Sequence, residues 1–238
     1  MAAGSNYHLS RIASYHTVTM YTLKPEIAGE RLIKKLREKG ITDEKVLDAF
    51  RKVPRHLFVD KMLYAQAYDD NALPIGGGQT ISQPYVVALM TQILQLGRDQ
   101  KILEIGTGSG FQTAVLSQFS RRVYTIERNR DLGTLALKRL RDLGYQNVVF
   151  KVGDGTRGWV QHAPFDRIIV TAGAPAIPQE LVDQLALGGR MIIPAGDRNI
   201  QDLEVYDKRE TGIEKTKAGS VVFVPLIGEK GWADPGRK

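Results

Sequence analysis

The chain has no cysteine among its 238 residues. That absence excludes a disulfide framework, a thiol nucleophile and a thiolate metal site, and it agrees with a reducing, cytoplasmic compartment. Histidine is scarce as well. His8, His16, His56 and His162 have no ligand-like spacing among themselves or with carboxylates, so no metal is expected. No apolar run approaches the roughly 18 residues of a membrane span. The opening MAAGSNYHLSRIASYHTVTMYTLKPE lacks the apolar centre of a secretory signal and is poor in Arg for a transit peptide. The expectation is a cytoplasmic protein with no membrane partner. Repeats and low-complexity tracts are absent too, and with 42% hydrophobic and 25% charged residues the composition excludes disordered and fibrous classes.

A formal charge of +7 raises the question of nucleic acid, since a basic protein gains affinity by releasing counterions from phosphates. The distribution argues otherwise. In RLIKKLREKG and LALKRLRDLG the basic residues recur at helical spacing among Leu, Ile, Glu and Asp, which describes the solvated faces of amphipathic helices. There is no long Lys/Arg block and no basic stripe interleaved with aromatics, so no nucleic-acid partner is expected. The excess positive charge can instead favour acidic polypeptides through a general field.

Along the chain, residues 1–24 show weak periodicity and read as an arm, with Met20 as an alternative start; residues 25–238 read as a single α/β domain. Within it, 25–97 carry helices and a long loop, and 98–238 carry the α/β core. Ile27, Leu32, Ile33 and Leu36 predict a helix over 25–38 ended at Gly40, and Thr42 is expected to cap a second helix bearing Val46, Leu47 and Phe50. The stretch AYDDNALPIGGGQTISQPY is too rich in Gly, Pro and polar residues for a regular element, and loops of such length are usually functional. A helix over Val86–Leu96 follows the Gln83-Pro84 start. Strands and helices then alternate through KILEIG, TAVLSQF, RVYTIE, LGTLALKRLRDLG, NVVFKVG, FDRIIVTAG, PQELVDQL and GGRMIIPAG. LEVYDKRE and GSVVFVPLI close the chain as strands with no helix between them. The pattern predicts a doubly wound, mostly parallel sheet with helices on both faces and an antiparallel member at one edge.

What is abundant is glycine in one place. Lys101–Gln112 reads KILEIGTGSGFQ, an apolar strand running into a glycine-rich turn that opens a helix. Gly106, Gly108 and Gly110 let the backbone approach a ligand, and the N–H groups of the next helix attract a carboxylate. A dinucleotide fingerprint would carry a third glycine where Phe111 stands. Instead Glu104 precedes the loop and Glu127 lies about twenty residues beyond it, where an acid can accept hydrogen bonds from both hydroxyls of a ribose. Pairing of Glu127 with Arg128 or Arg130 is the alternative, although exposed pairs contribute only about 0 to 1 kcal/mol. Thr107 and Ser109 complete the loop, and Gly153 to Gly155 and Thr171 to Gly173 also follow strand ends, so all should converge on one crevice. Asp154, in VGDG, reads either as the acceptor for an adenine amino group or as an Asx-type turn residue.

The loop with Glu127 resembles the class I S-adenosylmethionine-dependent methyltransferases, whose seven-stranded Rossmann-like fold matches the predicted sheet. Four segments narrow the resemblance: VPRHLFV at 53–59, LPIGGGQTISQPY at 73–85, LEIGTGSGFQTAVL at 103–116 and FVPL at 223–226. With DNALP, VGDG, APFDRIIVTAGAP and LVDQLALGGRMIIPAG they are similar to the protein-L-isoaspartate O-methyltransferase family, from about Gly29 almost to the C-terminus.

The resemblance implies a repair enzyme that moves the methyl of S-adenosyl-L-methionine to the α-carboxylate of L-isoaspartyl residues in damaged proteins and peptides, leaving S-adenosyl-L-homocysteine. The ester then closes to a succinimide that partly returns to L-aspartyl. A carboxylate with a pKa near 4 is already ionised and needs neither base nor metal, so alignment can supply most of the catalysis. The resemblance assigns Ser82 to the active site, where its hydroxyl can orient the acceptor carboxylate; the local pattern alone reads Ser82 as the cap of the helix at Gln83-Pro84. It also puts Gln79, Thr80 and Ile81 beside the cofactor, and Val224, Pro225 and Leu226, with Ile227 after them, in a lid. By pattern alone Val221–Val224 is a buried strand ended by Pro225. Thr171 and Ala172 are small enough to leave room for a peptide backbone. VPRHLFV is expected to position the active-site loop, although Arg55 could hold an acidic substrate. Many relatives have Tyr where this chain has Phe111, so a hydroxyl contact there is absent while ring packing can remain.

Two rival readings share the fold: a methyltransferase acting on a small molecule or RNA, and a cofactor-binding protein without turnover. TISQPY, FVPL and the missing RNA module oppose the first. The presence of Ser82, Glu127 and Asp154 together opposes the second.

Overall fold

The computed structural model describes residues 24–234. The expectations for the arm and for Met20 lie outside the described residues, apart from Lys24. Helix α1 (Pro25–Glu38) buries Leu32, Ile33 and Leu36 and is followed by Gly40 at φ 95°. Helix α2 (Glu44–Lys52) is capped by Asp43, whose side chain accepts from Lys45 N, and not by Thr42. The reason is tertiary: Oε1 of Gln92 takes the main-chain N–H of both Thr42 and Asp43, at 2.8 and 2.9 Å.

The long loop is not wholly irregular. Its centre folds into a small antiparallel hairpin, β1 (Leu73–Gly76) with β2 (Gln79–Ile81), turned by Gly77 and Gly78 at positive φ. Helix α3 starts at Pro84, as the Gln83-Pro84 pair implied, and ends at Ile93 rather than Leu96. Gln95 there takes φ 53°, and Arg190 and Arg167 bond the carbonyls of Ile93 and Leu94.

The sheet follows in alternation with helices: β3 (Lys101–Ile105), α4 (Phe111–Ser117), β4 (Arg122–Glu127), α5 (Arg130–Asp142), β5 (Val148–Val152), β6 (Phe165–Val170), α6 (Gln179–Asp183), β7 (Leu185–Gly196), β8 (Gln201–Arg209) and β9 (Gly212–Val221). Its order is β5-β4-β3-β6-β7-β8-β9, parallel from β5 to β7 and antiparallel across β7-β8-β9. The expected antiparallel edge is therefore two strands wide. Side chains alternate between faces as strand geometry requires. Ile102, Ile169 and Ile192 join a core with α1, α2, α3 and α4, while Leu103, Ile105, Ile168, Val170 and Met191 pack into a second core with Leu181 of α6.

The last strand departs most from expectation. β9 begins at Gly212, seven residues before GSVVFVPLI, and ends at Val221. Its register with β8 pairs Glu214 with Asp207 and Lys217 with Glu204, and most of its residues are exposed, so its sequence lacks the apolar alternation of a buried strand. Phe223–Ile227 leaves the sheet edge and runs beside the loop after β6, where Gly173 N donates to Val224 O and Leu226 N to Gly173 O, both at 2.8 Å.

Candidate functional site

Chain order reverses at β3: β4 and β5 build outward on one side and β6 and β7 on the other. Ligands of open α/β sheets bind at such a switch point, outside the carboxyl ends of the strands. A cleft lies there, lined by the ends of β3, β4 and β6, by β2 and by the segment 224–227.

Its floor is the glycine turn after β3. Gly106 takes φ 97°, and a Cβ at that position would stand 2.4 Å from Thr171 Oγ1, so close approach to the β6 loop requires glycine. Thr171 Oγ1 in turn lies 2.9 and 2.6 Å from the carbonyls of Ile105 and Gly106. Gly110, at φ 88°, is the N-cap residue of α4 and packs against Leu140 and Ala136 instead of lining the cleft. The first N–H of α4, that of Phe111, lies 3.3 Å from Ser109 Oγ.

Two carboxylates flank this floor and differ in their surroundings. Glu127, at the end of β4, accepts the main-chain N–H of Gly108 and of Asn129, each at 2.9 Å, and lines the cleft. Arg128 reaches Asp234 instead, so the alternative pairing of Glu127 with Arg128 is not formed. An ionised carboxylate offers about four acceptor positions. Two on Glu127 remain for a ligand.

Glu104, on β3, is fully buried behind the loop. Its Oε2 accepts Thr113 Oγ1 at 2.5 Å and Thr125 Oγ1 at 2.6 Å, whereas Oε1 is buried without a hydrogen-bond partner. Burial pushes its pKa up to about 8, and the nearby Glu127 charge adds to the rise.

On the opposite wall stand Gln79, Thr80, Ile81 and Ser82, followed by α3. Ser82 does not cap that helix: the N-cap residue is Gln83, without a side-chain cap bond. The N-terminal N–H of Tyr85 is taken by Asp70 Oδ1 at 2.8 Å, and Lys39 Nζ bonds the other oxygen of Asp70 at 2.5 Å. These contacts hold the Asp70 carboxyl below its ordinary range despite its burial. Ser82 is thus held in place by others. Its carbonyl accepts Arg55 Nη2 at 2.7 Å, and Arg55 Nε donates to Ala67 O at 2.9 Å. Arg55 is 1% exposed, with its guanidinium 4.8 Å from the centre of the Phe111 ring. Burial lowers its pKa to about 9. The expectation that Arg55 could meet an acidic substrate fails because the side chain is enclosed, whereas the positioning expectation for its segment agrees with these contacts.

Thr80, Ser82, Thr171 and Val224 line this cleft and also a second, open cavity, whose other walls include Asn71, Tyr85, Ile200 and the end of β9. Ala172, Pro225, Leu226, Ile227, Thr107, Gly108, Ser109 and Gly155 also line the first cleft. Gly110 and Asp154 do not, nor do Glu104, Gly153 and Gly173. Asp154 forms the Asx-type turn: Oδ1 accepts Thr156 N and Oγ1 at 2.9 and 2.7 Å, and Oδ2 accepts Glu229 N at 2.8 Å. Two of its acceptor positions are committed to the local turn and one to fastening the C-terminal segment, and these bonds hold the carboxyl below its ordinary range despite its partial burial. One acceptor position remains on this side chain.

Sequence reasoning passed over Gly77, Gln112, Ile126, Arg128 and Asn129 as lining residues. Ile126, Arg128 and Asn129 could have been found by extending the strand-end rule to either side of Glu127. Gly77 and Gln112 reach the cleft only through the hairpin and the α4 packing. Among the described residues no group of three His, Cys, Asp or Glu side chains is placed to hold a metal ion, and no helix is long and apolar enough to cross a membrane.

The family model described as protein-L-isoaspartate(D-aspartate) O-methyltransferase matches residues 28–231. The protein-L-isoaspartate O-methyltransferase 1 of Syntrophobacter fumaroxidans is 54% identical over 206 residues, covering 86% of this chain and 96% of that relative. A protein-L-isoaspartate O-methyltransferase of Dictyoglomus turgidum is 54% identical over 203 residues, 85% of this chain and 92% of its own. Among solved structures, a protein-L-isoaspartate O-methyltransferase matches with a TM-score of 0.78 at 29% identity, covering 85% of this chain and 67% of that one. A beta-aspartate methyltransferase from Plasmodium falciparum in complex with S-adenosyl-L-homocysteine matches with a TM-score of 0.74 at 26% identity, covering 84% and 98%.

Proposed function

The chain belongs to the protein-L-isoaspartate(D-aspartate) O-methyltransferase family and is an S-adenosylmethionine-dependent protein repair methyltransferase; from that premise we propose how its residues divide the work. The cleft fits the cofactor. Glu127 is fixed at a strand end with acceptor positions to spare, and Gly106 and Gly155 stand where Thr171 and Ile105 leave no room for a side chain, so bare main chain forms the wall there. Glu127 would hold the ribose hydroxyls, the turn from Gly106 to Ser109 the amino-acid portion, and Gln79, Thr80, Ile81 and Ile227 the remaining walls. When bound, S-adenosylmethionine supplies a methyl group on a positively charged sulfur.

The acceptor is the α-carboxylate of an L-isoaspartyl residue in a damaged protein or peptide. Ser82 orients it, its hydroxyl donating one hydrogen bond to one carboxylate oxygen and leaving the other free to react. Such positioning can lower a barrier by up to about 7–11 kcal/mol. Thr171 and Ala172 leave room for the kinked main chain, and Val224, Pro225 and Leu226 cover the meeting point and keep water away, which strengthens the attraction between carboxylate and sulfonium. After methylation the ester closes to a succinimide within the substrate itself. The absence of cysteine fits cytoplasmic residence.

The observation behind this division is that Ser82, Thr80, Thr171 and Val224 form the wall common to two cavities, one floored by the glycine turn and one bounded by the end of β9. The test is incubation with labelled S-adenosylmethionine and two peptides differing only in an aspartyl or isoaspartyl linkage. Base-labile label is expected in the isoaspartyl peptide alone; equal labelling of both, or transfer to RNA, defeats the assignment.

A further inference from the structure

Glu104 has no part in the division of labour above, yet it is the fully buried acid nearest the glycine turn, and one of its oxygens is orphaned. A buried charge with an unsatisfied oxygen is costly, so the group must be compensated or must shed its charge. Its environment from each neighbouring element is nearly neutral. Strand β6 presents Ile169 in register with it, α4 presents Thr113, and β4 presents Thr125 and, two residues on, Glu127. Glu127 is the one charged group acting on it among the described residues. Among the described residues no cation compensates it.

A line of hydroxyls connects this acid to the cleft. Thr125 Oγ1 lies 2.6 Å from Glu104 Oε2 and 2.6 Å from Thr107 Oγ1, and Thr107 lines the cleft. Each hydroxyl has a single hydrogen to donate. With Glu104 ionised, Thr125 spends its hydrogen on the carboxylate and must accept from Thr107, whose lone pairs are left to face the ligand. With Glu104 protonated on Oε2, the order reverses: Glu104 donates to Thr125, Thr125 donates to Thr107, and the hydrogen of Thr107 is left for the cleft. The proton on Glu104 thus sets whether the wall is an acceptor or a donor.

We propose that Glu104 is a proton-linked positioning residue, holding a proton while the cleft is empty and releasing it to solvent when the positively charged cofactor binds, with Thr125 and Thr107 reversing direction together. This rests on the cofactor assignment of the preceding section. The raised pKa of about 8 places the exchange near neutral pH. By linkage, affinity for S-adenosylmethionine rises with pH, by up to about tenfold per unit, until the empty protein has itself lost the proton, and then levels.

Calorimetric titration of the whole protein with S-adenosylmethionine at pH 7, in phosphate and in Tris, measures the effect, because released protons add the ionisation heat of the buffer. Release of up to about one proton per site is expected. Equal heats in the two buffers, with binding intact, overturn the proposal and leave the cofactor assignment standing; no binding at all removes both. Glu104→Gln should bind without release, and persistent release there overturns it. Should that variant fail to fold, Thr125→Val removes one donor to the carboxylate and interrupts the relay. It should move the midpoint of the affinity–pH curve upward, and an unmoved midpoint overturns the proposal.

Discussion

The two walls of the cleft are built differently. On the β3–β4 side the polar groups are buried and fastened by short bonds: Glu127 to Gly108 and Asn129, and Glu104 to Thr113 and Thr125. On the β2–α3 side Ser82 is half-buried, and its neighbours across the open cavity, Ile200 and Val222, are 54% and 73% exposed. A wall meeting one small ligand gains from fixed groups, since ordering costs nothing further at binding. A wall meeting many damaged polypeptides gains from shape tolerance and a single oriented donor. Arg55 joins the two, bonding Ser82 O from beside the Phe111 ring.

The contrast can be broken from the rigid side first. Gly106→Val places a Cβ 2.4 Å from Thr171 Oγ1 and forces positive φ on a β-branched residue. Cofactor binding should fall by more than about 100-fold in calorimetry, the loss of roughly 3 kcal/mol expected of backbone strain and displacement. A loss under tenfold would mean the floor is softer than its contacts imply.

Glu127→Ala comes next. Loss of two charge-assisted bonds to ribose hydroxyls should raise the cofactor Kd about 10- to 100-fold. At saturating cofactor kcat should change much less. Ser82→Ala should do the reverse, lowering kcat about tenfold or more while leaving the cofactor Kd within about twofold. Parallel losses of cofactor affinity in both variants would erase the distinction between the walls.

The smallest effect is on stability. Glu104 keeps its proton in the folded, empty protein up to about pH 8, whereas an unfolded chain ionises it above 4.5. Between those values the unfolded state binds fewer protons, so this group makes stability fall as pH rises, levelling above 8. His56, whose pKa burial lowers, acts in the opposite direction near pH 6.5, so the comparison is with Glu104→Gln. The difference in thermal midpoint, parent minus variant, should decline from pH 5 to pH 8; a flat difference would show that the carboxyl is ionised throughout.

The parts legible in the sequence are those set by local pattern. The strand–turn–helix at 101–117, the acid ending β4 and the order of elements follow from apolar periodicity and glycine placement. What escaped depends on groups far apart in the chain. The N-terminus of α3 is satisfied by Asp70 and that of α2 by Asp43 with Gln92, so local capping rules chose Ser82 and Thr42 wrongly. Arg55 looked available because arginine seldom lies inside, and its burial follows from groups distant in the chain, the carbonyls of Ala67, Asn71 and Ser82 and the Phe111 ring. Asp154 could be an Asx-turn residue or a ligand contact by pattern, and its bond to Glu229, 75 residues away, favours the turn. β9 was misplaced because an exposed strand need not alternate.

That strand has a bearing on solubility. An unpaired sheet edge invites extended chains to anneal to it, and a repair enzyme spends its working life among damaged, partly unfolded polypeptides. Along β9, Glu214, Lys215 and Lys217 form ion pairs back to Arg209, Glu204 and Asp202 of β8, giving the rim charges of both signs. An incoming strand would have to strip water from those pairs while stacking against them. Charge of both signs along this border disfavours such annealing.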